Sequence, residues 1–170
     1  VTHSVPTLSG NIINIVAAGN AVVFNPHPGG ARSAALAVRA YNEAIFAALG
    51  IENLVCTVEQ PTIESFNALT QNPYINLLCI TGGPAVVNAA MKSGKRAICA
   101  GPGNPPVLVD GTGCLKKAAR DVIQGGAYDN NLLCIGEKQV FVLEQFAGKF
   151  MEGLKAGGAA QLNAAQLAKL

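Results

Sequence analysis

Between residues 21 and 100, four short apolar runs alternate with three stretches of helical periodicity, and this order constrains the fold more than any other feature. The runs at 21–24, 53–58, 75–81 and 96–100 have the length and composition of strands. Between the first two, residues 30–49 place Ala34, Val38, Tyr41, Ile45 and Leu49 at steps of three and four, with Arg32, Arg39, Asn42 and Glu43 elsewhere. That pattern predicts an amphipathic helix stopped by Gly50. Shorter helices are expected over 62–70 and 84–92. Strands alternating with helices pair in parallel through right-handed crossovers. The expectation is an α/β fold: a Rossmann-like parallel sheet with flanking helices over residues 1–101.

Beyond Gly101 the pattern changes. GPGNPP is a rigid turn from which proline excludes a helix. A strand over 107–110 and a helix over 113–124 follow, the helix carrying Leu115, Ala118, Ala119, Val122 and Ile123 on one face and ending at Gly125-Gly126. Next come a loop with Cys134, a strand over 139–143 and a helix whose expected buried face is Phe146, Phe150, Met151 and Leu154. A last helix over 162–170 has little to pack on. Residues 102–170 thus read as the start of a second α/β domain. The chain begins at Val1, without methionine, on what reads as a turn; processing and excision from a longer protein both account for that.

Composition excludes several classes. Hydrophobic residues make up 50% and charged residues 13%, a balance that supports a buried core rather than disorder. The net charge of +2 is scattered, Lys95-Arg96 and Lys116-Lys117 are small pairs, and aromatics are few, so no nucleic-acid face is expected. The apolar stretch 12–24 is broken by Asn14, Gly19 and Asn20, and no membrane span is expected. The five cysteines contain no C-x-x-C pair, so no metal site is expected. Cys56, Cys79 and Cys99 lie in strand-like runs where a small buried residue fits. Free thiols there suit a reducing, cytoplasmic setting.

Three places can carry chemistry. ITGGPA ends a strand and opens a helix with proline in its first turn. Free N–H groups and close-approach glycines suit a phosphate, although an ordinary strand–helix turn has the same pattern. FNPHPGG is a stiff arm after a strand, able to hold an adenosine moiety or simply to fix a loop. Cys134 lies in a loop beside Asp129, Asn130 and Asn131. It is an accessible nucleophile or a core thiol packed among Leu132, Leu133 and Ile135. Glu137 beside Lys138 reads as a solvated surface glutamate rather than a base.

In order and spacing, AAGNAVVFNPHP, ITGGPAVVNAAMKSGKRAICAGPGNPPVLVD and GGAYDNNLLCIGEKQVFV resemble the aldehyde dehydrogenase superfamily. They are most similar to its CoA-acylating branch, the acetaldehyde and propionaldehyde dehydrogenases of bacterial microcompartments. The resemblance covers essentially the whole chain and only the middle of the family's longer polypeptide. It implies a partial NAD-binding domain over 1–101 and the beginning of a catalytic domain over 102–170. It implies Cys134 as the catalytic thiol, Asn25, Pro26, His27 and Pro28 as the arm meeting the adenosine half of NAD, and Thr81, Gly82 and Gly83 as the turn beside the pyrophosphate. His3 falls where the family has its oxyanion asparagine, and an imidazole N–H can also serve an oxyanion. Hydrolytic members carry a glutamate general base at the position of Ala100. Alanine there implies that CoA, a cosubstrate whose thiolate is intrinsically nucleophilic, takes the acyl group instead of water.

The resemblance further implies a short-chain aldehyde substrate, a homo-oligomeric parent, and a cytoplasmic location, inside a microcompartment in that branch. Asn25 carries no charge for a 2′-phosphate, which favours NAD over NADP. Two rival readings are a hydrolytic aldehyde dehydrogenase with its base elsewhere, and a catalytically silent nucleotide-binding fragment or scaffold piece. Weak or no turnover is expected from these 170 residues alone.

Overall fold

The computed structural model describes residues 4–169. They form two compact units divided after Pro102. In the first unit, β1 (Val22–Phe24) pairs in parallel with β2 (Val55–Thr57), Val22 opposite Val55. The crossover is α2 (Ala31–Leu49), which Gly50 ends in the left-handed conformation, its N–H bonding to the Phe46 carbonyl at 2.8 Å. Leu8, Ile12, Ala34, Val38 and Val55 form the core of this part, with Tyr41 and Ile45 packed against it. Leu49, expected on the buried face, is exposed: it is the last helical residue and lies past the end of that core. Asn42 of α2 bonds the backbone of Val55 in both directions, donating to its carbonyl at 2.7 Å and accepting from its N–H at 3.3 Å.

Leu8 and Ile12 belong to a helix the sequence reading missed, α1 (Ser4–Ala17). Its stripe of Leu8, Ile12 and Val16 has helical spacing, but Pro6, Gly10 and the β-branched residues around it have low helix propensity. Burial against α2 overrides that propensity.

β3 (Leu77–Thr81) pairs in parallel with β4 (Arg96–Ala100) around α4 (Pro84–Lys92), after α3 (Ile63–Gln71), which Thr62 and Ser65 cap reciprocally. The α/β order with parallel strands is as expected. The strands form separate two-stranded ladders rather than one sheet, and β2, only three residues long, does not reach β3.

Each ladder buries one face more than the other. In β3 and β4, Leu77, Cys79 and Thr81 stand opposite Arg96, Ile98 and Ala100 on the exposed face. This corrects the expectation for the cysteines. Cys56 and Cys79 are exposed and Cys99 is half-buried, because alternate residues of a strand point to opposite faces. Parallel strands normally lie covered on both faces, and these are covered on one.

In the second unit, β5 (Pro106–Val109) pairs in parallel with β6 (Gln139–Val142). Val109, Ala119 of α5 (Leu115–Ala127) and Phe150 of α6 (Glu144–Ala156) form its core. Gly153 lets the two helices approach closely, since a Cβ there would lie 2.9 Å from that of Ala119. Met151, expected to be buried, is exposed: it follows Phe150 by about 100° around the helix, past the edge of the buried stripe. Leu108 and Phe141, opposite each other in register, are 76% and 56% exposed on the uncovered face of this ladder. The last element, α7 (Ala164–Leu167), is one exposed turn. No helix among the described residues is long and apolar enough to cross a membrane.

Candidate active site

α5 does not stop at Gly125-Gly126 but continues through them to Ala127. The glycines serve close approach instead. The Glu137 carboxylate lies where a Gly125 side chain would be, and the Glu137 carbonyl and the Asn131 amide lie against Gly126. Glu137 is therefore half-buried on α5, not a freely solvated residue.

After α5 the chain turns sharply. Asp129, Asn130 and Asn131 all have positive φ, at 49°, 53° and 58°. Asn and Asp tolerate this region better than other residues with a side chain. The turn then leads into a second one. The Gly136 N–H donates to the Leu133 carbonyl at 3.2 Å, so Cys134 and Ile135 are the central residues of a β-turn.

Cys134 is exposed, as are Leu132 just before the turn and Ile135 within it. It is not a core thiol. Exposure alone does not single it out, because Cys56, Cys79 and Cys114 are exposed too. What distinguishes Cys134 is the hydrogen-bonded frame around its turn. The Lys138 ammonium donates to the Asn131 Oδ1 at 2.6 Å, the Leu133 carbonyl at 2.9 Å and the Gly136 carbonyl at 3.2 Å. The Asn131 Nδ2 donates to the carbonyls of Gly126 and Glu137. The Lys138 N–H donates to the Pro105 carbonyl at 3.2 Å, and the Cys134 carbonyl lies directly over Gly103. The rigid GPGNPP turn and the cysteine turn thus lie side by side. Sequence reading singled out Cys134 but not the frame of Gly103, Asn131 and Lys138.

The nucleotide candidates lie in the first unit at strand ends. Asn25 follows β1, and its Oδ1 accepts from the Ser65 hydroxyl of α3 at 2.7 Å. Pro26 follows, and His27 caps the short 3₁₀ turn Pro28–Gly30, its Nδ1 accepting from the Gly29 N–H at 3.1 Å. His27 is exposed, and the proline-rich arm ends directly in α2. Thr81 ends β3 opposite Ala100, and the Gly82 N–H donates to the Ala100 carbonyl at 3.2 Å. Gly83 caps α4 without a side-chain bond, and Pro84 is the first helical residue. The first-turn N–H groups of α4 thus have no side-chain cap, a chemistry that fits the diphosphate of a dinucleotide. No described hydrogen bond joins residues 25–28 to 81–83. His3 lies outside the described residues. Among the described residues, no three His, Cys, Asp or Glu side chains gather as metal ligands.

The sequence profile of the aldehyde dehydrogenase family matches residues 4–164. The chain is 42% identical over 169 residues to the propanal dehydrogenase (CoA-propanoylating) of Citrobacter freundii, covering 99% of this chain and 37% of that protein. It is similar to the propionaldehyde dehydrogenase of Rhodopseudomonas palustris solved with bound CoA and an acylated cysteine (TM-score 0.85, 44% identity, 99% of this chain and 38% of that one). It is similar also to a propionaldehyde dehydrogenase from the fucose utilisation bacterial microcompartment of Clostridium phytofermentans (TM-score 0.82, 44% identity, 94% and 37% covered). The chain thus spans little more than a third of the length of the curated relatives it matches.

Proposed function

The chain belongs to the aldehyde dehydrogenase family, and we propose that the protein it forms is a CoA-acylating aldehyde dehydrogenase, turning a short-chain aldehyde into acyl-CoA with NAD as hydride acceptor. The observation that carries this reading is the exposed Cys134 at the tip of a β-turn held by hydrogen bonds on both sides. Names of the similar proteins supply the substrate class: a propanal dehydrogenase that is CoA-propanoylating, and a relative solved with CoA and an acylated cysteine.

In this reading the Cys134 thiolate adds to the aldehyde carbon and its sulfur forms the new C–S bond. The carbonyl oxygen becomes an oxyanion held by the Cys134 backbone N–H, with His3 as a second donor. NAD, when bound, would supply the hydride acceptor for this carbon. The resulting thioester on Cys134 is attacked by the CoA thiolate, and Cys134 leaves as thiolate, restoring the enzyme. The free N–H groups after Gly82 and Gly83 bind the diphosphate, with Thr81 beside them, and the arm of Asn25, Pro26, His27 and Pro28 meets the adenosine half. Residues 1–101 are then part of the nucleotide domain and 102–170 the start of the catalytic domain. A homo-oligomer in the cytoplasm or in a bacterial microcompartment is part of the same reading. The microcompartment rests on a structural relative from one.

The test is mass spectrometry of the intact enzyme after incubation with propanal and NAD, CoA withheld. An added propanoyl group on Cys134, absent in Cys134→Ser and discharged by CoA, supports the reading. Acid formed equally fast with and without CoA defeats it.

A further inference from the structure

Lys138 carries a role beyond solubility. An ammonium has three N–H donors, and three acceptors stand around this one: Asn131 Oδ1, the Leu133 carbonyl and the Gly136 carbonyl. Leu133 and Gly136 are the first and last residues of the turn whose second residue is Cys134. One side chain therefore ties both ends of the cysteine turn, although it is itself exposed. Asn131 completes the tie, because the same amide that accepts from Lys138 donates to the carbonyls of Gly126 and Glu137. The turn is thus anchored to the end of α5 as well as to itself.

The peptide between Leu133 and Cys134 turns this anchoring into chemistry. A trans peptide is planar, and its C=O and N–H point in opposite directions. The Leu133 carbonyl points inward, where it accepts from both the Gly136 N–H and the Lys138 ammonium. The Cys134 N–H must then point outward from the turn. Nothing among the described residues accepts from it. A rotation of this peptide would turn the N–H inward and break both bonds to the Leu133 carbonyl.

We propose that Lys138 is a positioning residue for the acylation step: by holding the Leu133 carbonyl it fixes the direction of the Cys134 N–H, the donor that receives the oxyanion. The inference rests on Cys134 being the nucleophile. It also predicts that arginine is a poor replacement. A planar fork presents its donors in one plane and matches a carboxylate, not three acceptors arranged around a point.

The experiment compares Lys138→Met and Lys138→Arg with the parent sequence in the intact enzyme by three readouts. The first is kcat, with KM for propanal and for NAD, in the presence of CoA. The second is the propanoyl adduct on Cys134 with CoA withheld. The third is the rate at which iodoacetamide alkylates Cys134 relative to Cys56 in the same sample. Alkylation uses the thiolate but builds no oxyanion. The expected result for Lys138→Met is a fall in kcat of about 10- to 100-fold, with KM for NAD unchanged and Cys134 alkylation within about twofold of the parent; losing an oxyanion donor outright costs on the order of a hundredfold or more. Lys138→Arg recovers only part of the loss. Unchanged kcat overturns the proposal. So does a loss of alkylation in step with kcat, which marks a turn that has simply melted. No adduct on Cys134 in the parent enzyme instead refutes the nucleophile itself, a distinct outcome that removes the premise.

Discussion

Gly103 stands directly beneath the carbonyl oxygen of Cys134, and a Cβ at this glycine would overlap that oxygen. The neighbour is backbone, which cannot rotate out of the way as a side chain end can. Gly103→Ala must therefore move the GPGNPP turn or the cysteine turn. The expected cost is about 1–3 kcal/mol of stability, typical of overpacking. The Cys134 adduct should form more slowly as well. Thermal unfolding and the adduct assay check this together, and Gly113→Ala, where a Cβ meets nothing within 4 Å, is the control.

This contact marks the limit of what the sequence discloses. Apart from α1, the strands and helices of both units were legible, because apolar periodicity reports burial directly. The loop containing Cys134 was legible too, from polar residues following a helix. Its frame was not. Gly125 and Gly126 read as a stop, since glycine is a poor helix former, yet they lie within α5 because Glu137 and Asn131 need the space. Lys138 was given no role, because no local pattern reveals that one ammonium meets two carbonyls and an amide. The cysteines expected to be buried were misjudged for a related reason. Strand-like runs show alternation but not which face receives a cover, and Cys56 and Cys79 fall on the open one.

Asn42 substitutes for a strand neighbour. Its amide pairs with both the carbonyl and the N–H of Val55, which is fully buried. Asn42→Ala leaves those two backbone groups without their side-chain partner. A loss of about 1–3 kcal/mol is expected, in the range for stranded buried polar groups. Asn42→Asp keeps the acceptor for the Val55 N–H but sets a carboxylate oxygen against its carbonyl, and should be at least as costly. Urea unfolding of the three proteins measures the order. Equal stability of all three would show that the pairing contributes nothing.

The Thr112 hydroxyl and N–H both donate to Asp110 at the end of β5, at 2.6 and 3.0 Å. These bonds favour the carboxylate, the Thr112 hydroxyl most, and hold the Asp110 pKa below its ordinary 3.8. A depressed folded-state pKa stabilises the fold above the unfolded value and loses that contribution as pH falls through the folded one. The pH window lies below 3.8, so neutral stability gains the full effect and acid removes it. Carboxyl NMR should find the Asp110 midpoint below 3.8, and Thr112→Val should raise it. An unmoved midpoint in Thr112→Val would assign the shift elsewhere.

On the proposed acylating reading, Ala100 offers the sharpest test of how the acyl group leaves. It ends β4 opposite Thr81, and its carbonyl accepts from Gly82, so its backbone is fixed beside the proposed diphosphate turn. Its side chain lies on the exposed face of the ladder, where a longer residue meets no core. Hydrolytic relatives, by the resemblance, carry their general base at this position. Ala100→Glu should then let water compete for the thioester on Cys134. A positioned base contributes on the order of a hundredfold or more to such a proton transfer, so even poor alignment should raise acid release about tenfold. The assay measures acid and acyl-CoA from propanal and NAD with CoA present or withheld. Acid appearing without CoA only in the variant supports alanine as the reason that CoA, not water, is the acceptor. A variant that still accumulates the adduct and releases no acid would mean that the thioester is shielded from water by something other than the missing carboxylate.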